Sequence, residues 1–204
     1  MIPLWESGPR STYSMGMPMC QNRLAVPIWS YAIEEMRPDR VIEIGSYNGA
    51  LATALGLTCK AIGAKMITYD INRPSEAIVP IGEALGVVFQ VASCWDRQAE
   101  IGALIGSPGP SMVLCDGGDK PRELDTFARY LKTGDVIAAH DYDAVHEVDS
   151  SVPQAERPWP FSEIVKAQGD EIAAMHNLEP WMQEHFDLAG WLVYRCGTHR
   201  WSNS

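Results

Sequence analysis

The stretch "RVIEIGSYNG", Arg40 to Gly49, decides the fold. Its first half is an apolar run of strand length, and the pattern from Asn48 to Leu57 continues with helical period. Gly45 and Gly49 lie between the two, where glycine permits positive φ and lets a ligand approach the backbone closely. A strand turning straight into a helix opens a β-α-β unit.

Outward from that turn the same alternation recurs. "KMITYD" (Lys65 to Asp70) reads as a second strand, with a helix from Ser75 to Leu85 after Pro74. "GVVFQVAS" (Gly86 to Ser93) is a third strand, followed by a short helix from Arg97 to Ile105. "SMVLCD" (Ser111 to Asp116) is a fourth, and Pro121 suits the first turn of a helix running to Leu131. "DVIAAHD" (Asp135 to Asp141) makes the fifth strand after a turn at Gly134. The alternation predicts an α/β fold with a mostly parallel sheet and helices on both faces, which binds ligands beyond the carboxyl ends of its strands.

The flanks are less regular. Residues 1 to 39 form an N-terminal segment with a helix from Val26 to Met36, expected as a lid over the site, and residues 40 to 204 form the α/β body of what is one domain overall. Tyr142 to Pro160 reads as a long loop, of the kind that carries function in a compact domain. "PFSEIVKAQ" and Pro180 to Phe186 read as helices, and "AGWLVYRC" (Ala189 to Cys196) as a last, antiparallel strand at the sheet edge.

A chain of 204 residues can bury the core of one such domain. It has no apolar run of bilayer length and no signal-peptide pattern, so a cytoplasmic protein without membrane contact is expected. Five widely spaced cysteines without a C-x-x-C read as free, mostly buried thiols. A formal net charge of -10 without a basic run would repel a phosphate backbone, so nucleic acid is not the expected partner and a small molecule is. A homo-oligomer stays open.

Glu43, Gly45 and Gly49 stand as E-x-G-x-x-x-G. The dinucleotide pattern G-x-G-x-x-G is absent because Tyr47 occupies its second glycine position. Asp70 ends the second strand, where a carboxylate can accept from both hydroxyls of a ribose, so the turn and Asp70 together suggest a nucleoside site.

The segment "VLCDGGDKPRELDTFARYLKTGDVIAAHDYD", Val113 to Asp143, places acids at the ends of two strands. Asp116 and Asp141 on neighbouring strands would repel, and a divalent cation between them removes the conflict. Oxygen ligands favour magnesium or manganese, and His140 as a third ligand shifts the preference toward manganese or other transition metals. Strand alternation sends His140 and Asp141 to opposite faces unless the strand end is irregular. His140 is also a candidate base, because its ordinary pKa lies near working pH. Asp119 reads as a helix cap before Pro121, Asp143 and His146 as loop residues, and His176, His185 and His199 as having no site role.

Between residues 40 and 141 the chain resembles the class I S-adenosylmethionine-dependent methyltransferases, whose first motif has this E-x-G-x-x-x-G form and whose second strand ends in an acid. The resemblance implies a Rossmann-like, seven-stranded-type sheet. It also implies a cofactor site made by Glu43, Gly45, Gly49, Asp70, the adenine-flanking Ser93, Cys94 and Trp95, and Asp116. Within that group the chain resembles the metal-dependent O-methyltransferases, both the catechol type and the cephalosporin hydroxylase-like sugar and macrolide relatives. These carry an acid after the fourth strand and an adjacent ligand pair after the fifth, which map onto Asp116 and onto His140 with Asp141. An acid is usual where His140 stands. The catechol type has a lysine base shortly after the first acid, and Lys120 lies one residue further on than that spacing; its ordinary reading is a solvated residue at a helix start.

The expected function is a metal-assisted methyl transfer from S-adenosyl-L-methionine to a hydroxyl of a small molecule, such as a sugar or glycosylated metabolite, lying near Tyr142 and Trp159. The competing readings are a metal-dependent hydroxylase or hydrolase built on Asp116, His140 and Asp141, and a non-catalytic nucleoside-binding protein.

Overall fold

A computed structural model describes residues 13, 14, 16–153, 156 and 161–197. Trp159 and His199 lie outside them. A two-residue pair, β1 (Tyr13–Ser14) with β2 (Met17–Pro18), leads into α1 (Ala25–Met36). The body then runs β3 (Arg40–Ile44), α2 (Ala50–Ile62), β4 (Lys65–Asp70), α3 (Val79–Ala84), β5 (Val87–Val91), α4 (Gln98–Gly106), β6 (Ser111–Cys115), α5 (Lys120–Ala128) and β7 (Val136–His140). It closes with α6 (Ala144–Val148), α7 (Lys166–Met175), β8 (Leu178–Pro180), α8 (Gln183–Phe186), a 3-10 turn and β9 (Trp191–Cys196).

The seven-stranded sheet has the order β5-β4-β3-β6-β7-β9-β8. β3 to β7 are parallel, as the alternation predicts, and β9 is antiparallel to both its neighbours. The Rossmann-like α/β fold is therefore the observed one. β9 does not form the edge, however: β8, a strand the sequence reading did not expect and whose last residue Pro180 was read as a helix start, pairs outside it. Pro180 cannot donate to a ladder, which is why so short a strand suits the edge.

Two further helices differ from expectation. Residues 161–165 are not helical and α7 begins only at Lys166, whereas the helix expected from Ser75 shortens to Val79–Ala84 behind turns. The expected long loop after Tyr142 contains α6, whose first turn Asp143 caps by accepting from the His146 N–H at 3.0 Å.

Both faces of the sheet are covered. Ile42, Ile44, Val113, Cys115, Ile137 and Ala139 point into one core with Phe127, and Val41, Met112, Leu114, Val136 and Ala138 into the other with Trp29 and Trp191. α1 belongs to the second layer: Trp29 is fully buried against Phe186 and Trp191. Truncating such a tryptophan to alanine costs about 3–5 kcal/mol, so α1 is a structural part of the body.

Register places the site. Ile44 pairs with Tyr69 on one side and Cys115 on the other, and Cys115 pairs with Ala139. One residue further along each strand, Gly45, Asp70, Asp116 and His140 therefore form one row across the carboxyl edge of the sheet.

Candidate functional site

The row opens into two adjoining cavities. The larger, of about 550 Å³, is lined by Gly45, Tyr47, Asp70, the Ala92–Trp95 segment, Asp116 to Gly118 and Glu123, among others. The smaller, of about 240 Å³, is lined by Met19, Cys20, Gly45, Tyr47, Asp116, His140 and Asp141. Gly45, Tyr47 and Asp116 line both, so they form the partition between them.

Gly45 has φ +88, and a Cβ there would lie 2.2 Å from the Asp116 carbonyl oxygen. Gly49, at φ +85, would place its Cβ 2.9 Å from the Phe89 ring. The first glycine lets the turn lie against the loop after β6, and the second lets α2 start against β5. Tyr47 stands between them with φ 49, and its exposed side chain rises between the cavities.

Asp70 accepts from the Tyr47 N–H at 2.8 Å and from the Asn72 N–H at 2.7 Å, one on each carboxylate oxygen. That fixes the carboxylate at the cleft wall while each oxygen keeps a further lone pair. Ser93, Cys94 and Trp95 line the same cleft. Trp95 also stacks on Phe127 at 6.3 Å, with the Arg122 guanidinium 3.9 Å from its ring centroid, so it serves both packing and the cleft.

Glu43 is placed differently. Strand alternation turns it onto the face of Val41, where it is 1% exposed and accepts from the Thr68 hydroxyl at 2.5 Å. Burial pushes its carboxyl up to about 8, against the lowering by Thr68. It lies under the turn, outside the lining of either cavity.

In the smaller cavity Asp116, His140 and Asp141 each offer a ligand atom, all within 4.8 Å of one another. Asp116 and His140 share a sheet face by alternation, and the His140 Nδ1 lies 2.8 Å from Asp116 Oδ1. Alternation alone would turn Asp141 away. It has φ 60 instead, a left-handed conformation that aspartate tolerates, and its Oδ1 comes to 3.4 Å from the same nitrogen. The irregular strand end thus brings both members of the pair to one site. Two carboxylate oxygens and an imidazole nitrogen converging in this way fit a divalent cation with water completing its shell.

Lys120 is not a solvated helix-start residue. It is 5% exposed, with Nζ 2.7 Å from Asp141 Oδ2 and 2.7 Å from Glu163 Oε2. Burial opposes its charge, but the Asp141 and Asp116 carboxylates outweigh that and hold the ammonium above the ordinary lysine value. Asp116 itself is raised, mainly by burial. Asp119 caps α5, accepting from the Arg122 N–H at 3.3 Å. Glu123 accepts from the Gly117 and Asp119 N–H groups at 3.1 and 3.2 Å, which pins the loop between Asp116 and Lys120.

Two participants carry no sequence signal and a third only an indirect one. Gln21, 2% exposed, donates from Nε2 to Asp116 Oδ2 at 2.7 Å and accepts from the Trp191 indole N–H at 3.3 Å. Glu163 reaches the site from an irregular segment, and Tyr47 is visible in the sequence only as a departure from the dinucleotide pattern. The aromatic ring beside the imidazole is Trp191, 4.6 Å between centroids. Tyr142, expected to offer substrate a flat surface, is 4% exposed and packs in the core. His176 bonds Asp125 at 2.8 Å, and neither residue lines either cavity. Four of the five cysteines are buried, and Cys20 is exposed at the smaller cavity.

No family model and no curated protein matches this sequence. Solved structures do match. CmcI, in a structure with Mg-SAM, aligns over 96% of this chain and 84% of its own at 15% identity, with a TM-score of 0.60. Cofactor-bound Rv0187 from MTB aligns over 94% and 84% at 13% identity, with a TM-score of 0.53. A Klebsiella pneumoniae protein with a provisional O-methyltransferase name aligns over 86% and 80% at 12% identity, with a TM-score of 0.52. The chain therefore has the class I methyltransferase fold over nearly its whole length.

Proposed function

We propose that this protein is an S-adenosylmethionine-dependent O-methyltransferase acting on a hydroxyl of a small molecule, with a divalent cation held by Asp116, His140 and Asp141. The observation that carries the reading is the pair of cavities joined at Gly45, Tyr47 and Asp116: one is sized and lined for a nucleoside cofactor, the other holds the convergent ligand set. CmcI's Mg-SAM complex, on the same fold, supports both halves.

Each residue's part follows from its place. Asp70, fixed by two backbone N–H groups, accepts from the ribose hydroxyls, and Ser93, Cys94 and Trp95 border the base. Gly45 and Gly49 let the turn lie against the methionine end. Methyl transfer from a sulfonium is an in-line displacement, so an acceptor oxygen in the smaller cavity must face the larger one across Tyr47 and Asp116. Such positioning can supply about 7–11 kcal/mol.

A bound magnesium or manganese ion lowers the pKa of the acceptor hydroxyl. Lys120, held as an ammonium between Asp141 and Glu163, orients the ligand carboxylate rather than taking up the proton. His140 presents Nδ1 to both carboxylates, so that nitrogen would be a ligand once an ion is bound there. In the smaller cavity Asp116, His140 and Asp141 offer partners to a hydroxylated acceptor of the sugar kind, while Met19 and Tyr47 offer it apolar surface. The hydroxylase or hydrolase reading is not favoured, because it gives the larger cavity no role.

Calorimetry tests the cofactor half: S-adenosylhomocysteine should bind with micromolar affinity or better. Absence of heat with both cofactor forms would refute the reading.

A further inference from the structure

Asp141 is held in an uncommon conformation by a segment that contributes nothing to the strand row itself. The Glu163 N–H donates to the Asp141 carbonyl at 2.8 Å and the Ile164 N–H at 3.4 Å, which supports the left-handed φ of 60. Ile164 is fully buried and anchors the segment. From the same residue, the Glu163 carboxylate reaches Lys120 Nζ at 2.7 Å, and Lys120 in turn holds Asp141 Oδ2 at 2.7 Å. With Oδ2 occupied by the ammonium, Oδ1 is the oxygen left facing His140 Nδ1.

We propose that Glu163 is a positioning residue for the cation site, fixing Asp141 both through its backbone N–H and through the Glu163–Lys120–Asp141 chain. This rests on the metal reading of Asp116, His140 and Asp141. Lys120 is buried and Glu163 half exposed, side-chain exposures of 5% and 54%, so the carboxylate is the solvent-side end of the chain. The ammonium then rotates toward whichever carboxylate remains if either is lost. Without Glu163, Lys120 is free to move across Asp141 and to draw its Oδ1 out of the ligand position. Outer partners of metal ligands commonly contribute ten-fold or more to affinity by this kind of orientation.

Manganese titration calorimetry on the full chain tests the proposal, with S-adenosylhomocysteine binding as the folding control, since neither Glu163 nor Lys120 lines the larger cavity. Glu163→Gln should weaken manganese binding by about ten-fold with Lys120 present and by less than about two-fold in a Lys120→Met background. An equal loss in both backgrounds would mean that Glu163 acts only through its charge, and overturns the proposal. Glu163→Asp keeps the charge and shortens the reach, so it should also weaken binding; wild-type affinity overturns the proposal even if Lys120→Met does not fold. If the wild-type protein binds S-adenosylhomocysteine but no manganese, the metal reading and this inference fall together while the cofactor reading stands.

Discussion

The carbonyl oxygen of Asp116 lies so close to Gly45 that a Cβ at residue 45 would stand 2.2 Å from it. The glycine turn after β3 and the loop after β6 are thus packed backbone to backbone. Gly45→Ala cannot be absorbed by a side-chain rotation, because the obstacle is main chain, and φ +88 is itself unfavourable for alanine. The variant should lose at least about 1–2 kcal/mol from the left-handed conformation alone, with the clash in addition. Urea unfolding should show the lowered midpoint, and calorimetry the weakened S-adenosylhomocysteine binding.

Asp70 is partly exposed, and both of its backbone donors, Tyr47 and Asn72, lie in exposed turns, so its removal should spare the fold. Asp70→Ala should weaken S-adenosylhomocysteine binding by about 1.5–3 kcal/mol for each ribose hydrogen bond lost to the charged group, with little change in the melting temperature. Unchanged affinity would place the ribose elsewhere.

Asp141 lines only the smaller cavity, whereas Asp116 lines both. Asp141→Asn should therefore abolish manganese binding in calorimetry and leave S-adenosylhomocysteine binding nearly intact. Asp116→Asn should weaken both. Retention of manganese by both variants would rule out the ligand set.

Glu43 supplies a pH signature of stability. Burial raises its carboxyl to about 8 from the ordinary 4.5, so the folded protein binds this proton more tightly than the unfolded chain does. Its contribution is most favourable below about pH 4.5 and declines as pH rises toward 8, by up to about 1 kcal/mol per pH unit. Glu43→Gln keeps an acceptor for the Thr68 hydroxyl and removes the titration. Chemical denaturation at pH 6 and pH 9 should show a smaller loss of stability in the variant than in the wild type.

Much of the architecture was legible because parallel strands buried on both faces read as nearly continuous apolar runs, as β3, β4, β6 and β7 do, while β5 at the sheet edge is only partly buried. The segments after Tyr142 were harder. β8 is three residues long and ends in Pro180, too short to carry a period, and its pairing with β9 moved that strand inward from the edge. Residues 161–165 have the composition of a helix start but are used as a brace for Asp141.

At the site, sequence determined which chemical groups end the strands: Gly45, Asp70, Asp116, and His140 with Asp141. The reason is that parallel strands deliver their last residues to one edge whatever the loops do. Tertiary structure decided how those groups face. A left-handed φ at Asp141 overrode the two-residue alternation. Burial between Asp141 and Glu163 made Lys120 a fixed ammonium rather than a solvated side chain. Gln21, 95 residues from Asp116 along the chain, became its hydrogen-bond partner. Such orientations depend on contacts between segments distant in sequence, and no local period or motif encodes them.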